Sequence, residues 1–209
     1  MGFPAFFANT PTITLRDPLA VFLGASETGV MTYTYTDAVK LAGHSCPTVA
    51  GAYLMLRSGL RQLYGNEMPE RGGVEVFMRD PRDEGTTGVI ATIATLITGA
   101  APETGFGGIG ARQRFTRRDL LHFEAPINGL MALRRKDCGR GVTLDLDTAA
   151  VPADAGIQQL FPRVLAERPS DDDLARFAAL WQARVERMLI QHADDPTLVQ
   201  VAEWTAAAA

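Results

Sequence analysis

Apolar residues recur at three- and four-residue steps through residues 47–64, at Val49, Ala52, Tyr53, Leu56, Leu60 and Leu63, and predict a helix with one buried face. The same spacing joins Leu174, Phe177, Leu180, Trp181, Val185, Met188 and Leu189. It predicts a helix opened by Ser170 and Asp173, three positions apart, and running to about His192, where a histidine suits the negative end of the helix dipole. Residues 87–97 are apolar nearly all round before Thr98-Gly99, so this helix belongs in the core or against a second copy of the chain, a first pointer to a homodimer. Shorter helices are expected at 19–23 behind Asp17-Pro18, at 38–41 behind Thr36-Asp37 and ending at Gly43, and at 156–166. Alternating or β-branched runs predict strands at 30–35, 74–78, 112–116, 129–135 and 141–147, the last two joined by residues 136–140.

These elements describe an α+β fold, an antiparallel or mixed sheet flanked by helices. Residues 1–150 form the main domain with an irregular N-terminal arm to about Thr14, and residues 151–209 form a C-terminal helical extension whose last alanines, 206–209, read as a frayed end. A chain of 209 residues with 46% hydrophobic content can bury a sizeable core. Its net charge of −4 gives no polyanion-binding surface, so nucleic acid is not an expected partner. No apolar run reaches the roughly 18 to 20 residues that span a bilayer, and the first residues lack the basic region of a secretory signal. A cytoplasmic protein without a membrane partner is therefore expected, with reduced thiols at Cys46 and Cys138.

Several chemistries are excluded. No Cys-x-x-Cys occurs, so a self-contained zinc ribbon is ruled out; neither Gly-x-Ser-x-Gly nor His-Glu-x-x-His is present. The glycine-rich run 105–110 has neither P-loop nor dinucleotide spacing and reads as a turn. The segment Gly43-His44-Ser45-Cys46-Pro47-Thr48 is more promising. It sets an imidazole and a thiol two positions apart, directly before a helix whose first residue is Pro47. Free amides at a helix start favour negative charge, hence the thiolate, the form that binds metals and attacks electrophiles. Thiolate plus imidazole suits Zn²⁺ or another divalent transition metal. His122, beside leucines and Phe123, reads as a packed or edge histidine, and Cys138 as a turn residue; either, or a loop carboxylate among Asp80, Asp83, Glu84 and Glu103, could add a ligand. Arg112, Arg114, Arg117 and Arg118 form a basic cluster near the glycine turn.

The run Ala42-Gly43-His44-Ser45-Cys46-Pro47, followed by Gly51, resembles the Gly-His-x-Cys-Pro signature of the formylmethanofuran dehydrogenase E-subunit family. Residues 93–99, ending in Thr-Gly, resemble that family's helix end. Residues 104–108 resemble its glycine-rich turn, and 136–142 its late hairpin. The resemblance covers about 38–146 and implies an α+β domain, usually dimeric, with His44 and Cys46 at a metal site. The family's Cys-x-x-Asp falls near Val89 and Thr92, and its C-terminal zinc ribbon is replaced by a tail without cysteine. Three functions stay open at this point: a metal-binding protein using His44 and Cys46; a metal-free thiol enzyme with Cys46 as nucleophile and His44 as base; and a module that binds a small molecule or cofactor through the glycine turn and residues 112–118.

Overall fold

Residues 2–205 are described by the computed structural model, so the alanines expected to fray at 206–209 lie outside them. The chain begins with a 3₁₀ turn, Ala5–Asn9, and a small antiparallel pair, β1 (Ile13–Arg16) and β2 (Val30–Tyr33), which embrace α1 (Pro18–Phe22). Next come α2 (Tyr35–Ala42), α3 (Pro47–Tyr64), β3 (Val74–Met78) and α4 (Thr87–Thr98). The remainder is β4 (Leu121–His122), β5 (Met131–Arg135), β6 (Gly141–Leu146), α5 (Ala155–Val164), α6 (Asp171–Glu186) with a π turn at Arg187–Gln191, and β7 (Val199–Trp204). The larger sheet has the order β4-β3-β5-β6-β7; only β3 and β4 run parallel, so it is mixed. The α+β class expected from the pattern is the observed one.

α3 forms where the apolar steps predicted it, with Pro47 at its first position and Gly65 at a positive φ of 57° behind its last. More than one face is buried, however: every residue from Val49 to Leu56 is enclosed. The helix is the axle of the fold, touching α2, α4, α6, the π turn and strands β5, β6 and β7. It comes close to the sheet because Gly59 has no Cβ, an atom that would stand 2.8 Å from methyl carbons of both Leu133 and Leu144. α4, apolar all round, packs on α2, α3 and β3, so most of its surface is spent in the core of one chain. Val89 and Leu96 stay half-buried and Thr92 exposed on its outer side.

Four expectations need correction. Residues 112–116 are not a strand; Gln113 and Phe115 adopt positive φ, 47° and 64°, in a tight turn closed by mutual backbone hydrogen bonds between Ile109 and Arg114. The four arginines nearby do not cluster, because Arg117 is drawn inside to Asp17, Arg114 lies over the rings of Phe22 and Phe115, and Arg118 donates to the Gly105 carbonyl. The segment after residue 150 is helical only through the π turn, after which β7 pairs with β6 along its whole length. His192 does not cap a carbonyl with its ring; its Nδ1 lies 2.8 Å from Asp195 Oδ2.

The turn feeding β7 is held by carboxylates. Asp194 accepts from Arg57 and Arg61 of α3, and Asp195 accepts from Thr197 as well as pairing with His192. The hydrogen bond with His192, then those from Thr197, lower the Asp195 carboxyl from its ordinary value near 3.8 to about 2. Asp194 is lowered by the Arg57 hydrogen bond first. A carboxylate with a depressed value in the folded state stabilises above its unfolded value and loses that contribution as pH falls. Amide hydrogen exchange in β7 should therefore speed up, relative to β3 and β5, as pH drops from about 4 to 2.

Candidate functional site

α2 is opened by Thr34, whose backbone N–H and hydroxyl both donate to Asp37 Oδ2 at 2.8 Å, and it ends at Gly43 in the left-handed region at φ 75°. That glycine turns the chain sharply into His44, Ser45 and Cys46. Cys46 is extended (φ −150°, ψ 169°) and is the N-cap of α3, its sulfur accepting from the Val49 amide at 3.5 Å. A thiol thus stands where a serine or aspartate oxygen usually caps a helix.

His44 Nδ1 lies 2.9 Å from the Ala42 carbonyl, and its Nε2 lies 3.3 Å from Cys46 Sγ. A carbonyl only accepts, so Nδ1 carries a hydrogen, and in the neutral imidazole Nε2 is the nitrogen whose lone pair is on the side of the sulfur. This is the orientation a metal-binding or base-acting imidazole needs, with the second nitrogen anchored by the backbone. Two ligands of one tetrahedral zinc ion would be separated by about 3.5 Å, given bonds near 2.0 and 2.3 Å. The pair fits two positions of such a shell. His44 is exposed and Cys46 half-buried, so the approach from solvent is open.

Other candidates stand apart. His122 sits on β4, stacked on Phe77 with ring centroids 4.7 Å apart and facing Glu75 at 3.9 Å. Cys138 is exposed in the β5–β6 turn. Among the described residues, no three His, Cys, Asp or Glu side chains are grouped so as to share an ion. Beside the imidazole runs a groove of about 260 Å³, bounded by Leu41 and Ala42 at the end of α2 and by Gly88, Val89 and Thr92 on α4. The positions where the resemblance would put further polar groups thus lie next to His44, and this chain carries a methyl-rich wall there.

The loop is also gripped from behind, by residues that no spacing in the chain connects with it. Trp181 Nε1 and Gln182 Nε2 on α6 each donate to the Ser45 carbonyl at 3.1 Å. The Ser45 hydroxyl donates to Gln182 Oε1 at 2.9 Å and accepts from the Tyr35 hydroxyl at 2.9 Å. Burial pushes the Tyr35 phenol upward, keeping it protonated and a donor. Apolar spacing places Trp181 on a helix face and nothing more; its polar partner lies 136 residues away. Compared with known proteins, the chain matches no family model and no curated protein.

Proposed function

We propose that His44 and Cys46 bind a divalent transition metal, zinc foremost, and that the chain is a metal-binding protein of the kind its Gly-His-x-Cys-Pro run resembles. One observation carries this reading: His44 Nε2 and a helix-capping Sγ converge at 3.3 Å, with the ring's other nitrogen tied to a carbonyl. The chain supplies two donors, so water, a small-molecule ligand or a second copy of the chain completes the shell. When bound, a metal with open positions would polarise a substrate or lower the pKa of bound water. His44 and Cys46 would hold it at the mouth of the groove, whose apolar wall favours an uncharged ligand.

A homodimer belongs to the same proposal. Leu41, 47% exposed, and the half-buried Val89 and Leu96 leave apolar surface beside the site for a second copy. Two free cysteines suit a reducing compartment such as the cytoplasm. No helix among the described residues is long and apolar enough to cross a membrane. Light scattering on the purified protein reads the dimer directly.

The test of the metal is elemental analysis of untagged protein, wild type against the His44→Ala, Cys46→Ala double variant. About one equivalent of zinc or another transition metal per chain is expected in the first and none in the second, because folded sites bind through deprotonated ligands that the variant lacks. Equal metal content in both would end the assignment. The direct contact between Nε2 and Sγ, open to solvent, also favours a second reading, in which Cys46 is a nucleophile and His44 its base. That reading predicts metal-free wild-type protein, even after incubation with zinc, whose Cys46 is alkylated faster than in His44→Ala.

A further inference from the structure

Four hydrogen bonds converge on Ser45 from two separate elements, and neither reading of the site uses them. Ser45 lies between the two residues assigned to the site. Its carbonyl takes two donors from α6, its hydroxyl one acceptor from α6 and one donor from α2, all between 2.9 and 3.1 Å. The Gln182 amide engages both the carbonyl and the hydroxyl, reading the residue as a two-point contact. The backbone at Ser45 carries both of its neighbours, so fixing its carbonyl and hydroxyl against α2 and α6 fixes the points from which His44 and Cys46 project to where Nε2 meets Sγ. Local contacts orient the two side chains one at a time, the Ala42 carbonyl holding the imidazole and the Val49 amide the sulfur, and leave the backbone between them to the Ser45 contacts.

We propose that Trp181 and Gln182 are positioning residues of the His44–Cys46 site, so that the C-terminal hairpin of α5 and α6 sets the geometry of a centre to which it gives no ligand. This rests on the reading of His44 and Cys46 as the working pair. Partners that orient ligands from behind are worth about 10–100-fold in metal affinity. Trp181→Phe keeps an aromatic ring against Phe177, 5.4 Å from Trp181 between centroids, and removes the N–H with part of the indole. Gln182→Leu keeps most of the volume and removes both polar contacts. A separate anchor of α6 supplies the control: Arg184 donates to the Val151 and Thr148 carbonyls at 2.7 Å and does not touch Ser45.

The experiment titrates Co²⁺ into metal-free protein carrying Cys138→Ser, following the thiolate-to-cobalt absorption and the thermal midpoint. In parallel, iodoacetamide alkylation of Cys46 is timed without metal. The Trp181→Phe, Gln182→Leu double variant should bind Co²⁺ at least tenfold more weakly, with a reduced charge-transfer band, and should alkylate Cys46 several-fold more slowly. Arg184→Ala should leave both readings at the parent value even if its midpoint falls. Parent-like cobalt affinity and alkylation in the double variant, or an equal loss in Arg184→Ala, overturns the proposal. If the double variant does not fold, Trp181→Phe alone decides by the same two readings. A parent protein that binds no Co²⁺ removes the metal reading instead, and the positioning role then stands or falls on the alkylation rates.

Discussion

Replacing Asp17 by alanine is expected to cost about 3–5 kcal/mol of stability, read as a fall in the urea midpoint. Asp17 is buried, its side chain 5% exposed, and it joins three structures at once. Its Oδ1 caps α1 by accepting from the Leu19 amide at 2.9 Å and also accepts from Arg117 at 2.7 Å; its Oδ2 accepts from Arg71 at 3.0 Å. Burial pushes the Arg117 guanidinium below its ordinary value, and the Asp17 charge opposes that shift. Removing the carboxylate strands the buried Arg117 guanidinium beside the partly buried Arg71, which is why the loss far exceeds that of a surface pair. Arg71 also donates to the Thr95 and Leu96 carbonyls at the end of α4, so the damage should extend there. The Asp17→Ala, Arg117→Met double variant should recover part of the loss by removing one stranded charge. No recovery would mean that the cost lies in the cap.

The second large effect concerns the seam between α3 and the sheet. Leu144 is fully buried over Gly59. Leu144→Ala should cost about 2–5 kcal/mol through lost burial and the cavity left behind. Gly59→Ala gains helix propensity of about 1 kcal/mol but forces a methyl to within 2.8 Å of Leu133 and Leu144 carbons, so it should be destabilising on balance. Combined, the new methyl enters the space that Leu144 vacates. The double variant should therefore be about 0.5–3 kcal/mol more stable than the two separate losses predict. Additive losses in a urea double-mutant cycle would show that the seam relaxes independently at each site.

Elements with strong local grammar are legible in the chain. α3 has a proline start, a glycine stop and apolar spacing along its whole length; β3 has alternation bounded by glycines and a polar loop. β7 escapes such a reading although Val199 and Val201 flank Gln200, because it follows a long helix in a stretch rich in aspartate and has a partner, β6, that precedes the helices. β4 is two residues long and exists only because β3 lies beside it. The false strand at 112–116 has suitable residue types, but the chain must reverse there, and positive φ at Gln113 and Phe115 is a tertiary demand that no propensity reports. For the site, the two-residue spacing before a helix start points to His44 and Cys46 but does not select them alone; the resemblance carried by residues 42–47 adds the weight. Ser45, Tyr35, Trp181 and Gln182 stay invisible because a donor 136 residues from its acceptor leaves no periodic trace.

The register of the last strand has a consequence for how the chain is assembled. Leu146 and Val199 face each other as the final pair of the β6–β7 ladder, and Asp147 N–H donates to the Leu198 carbonyl just beyond them at 3.0 Å. Measured on the sheet, the two helices between them begin and end at the same place. Residues 147–198 are thus the loop of an oversized β-hairpin, whose closure cost rises only slowly with length. Because its ends are pinned side by side, the strand pairing does not depend on the loop's length, and the loop is held instead by its own packing, with Val185, Met188 and Leu189 fully buried in the common core. The part of the molecule that grips Ser45 is thus an insertion between two neighbouring strands, fastened to the rest of the fold by those buried side chains.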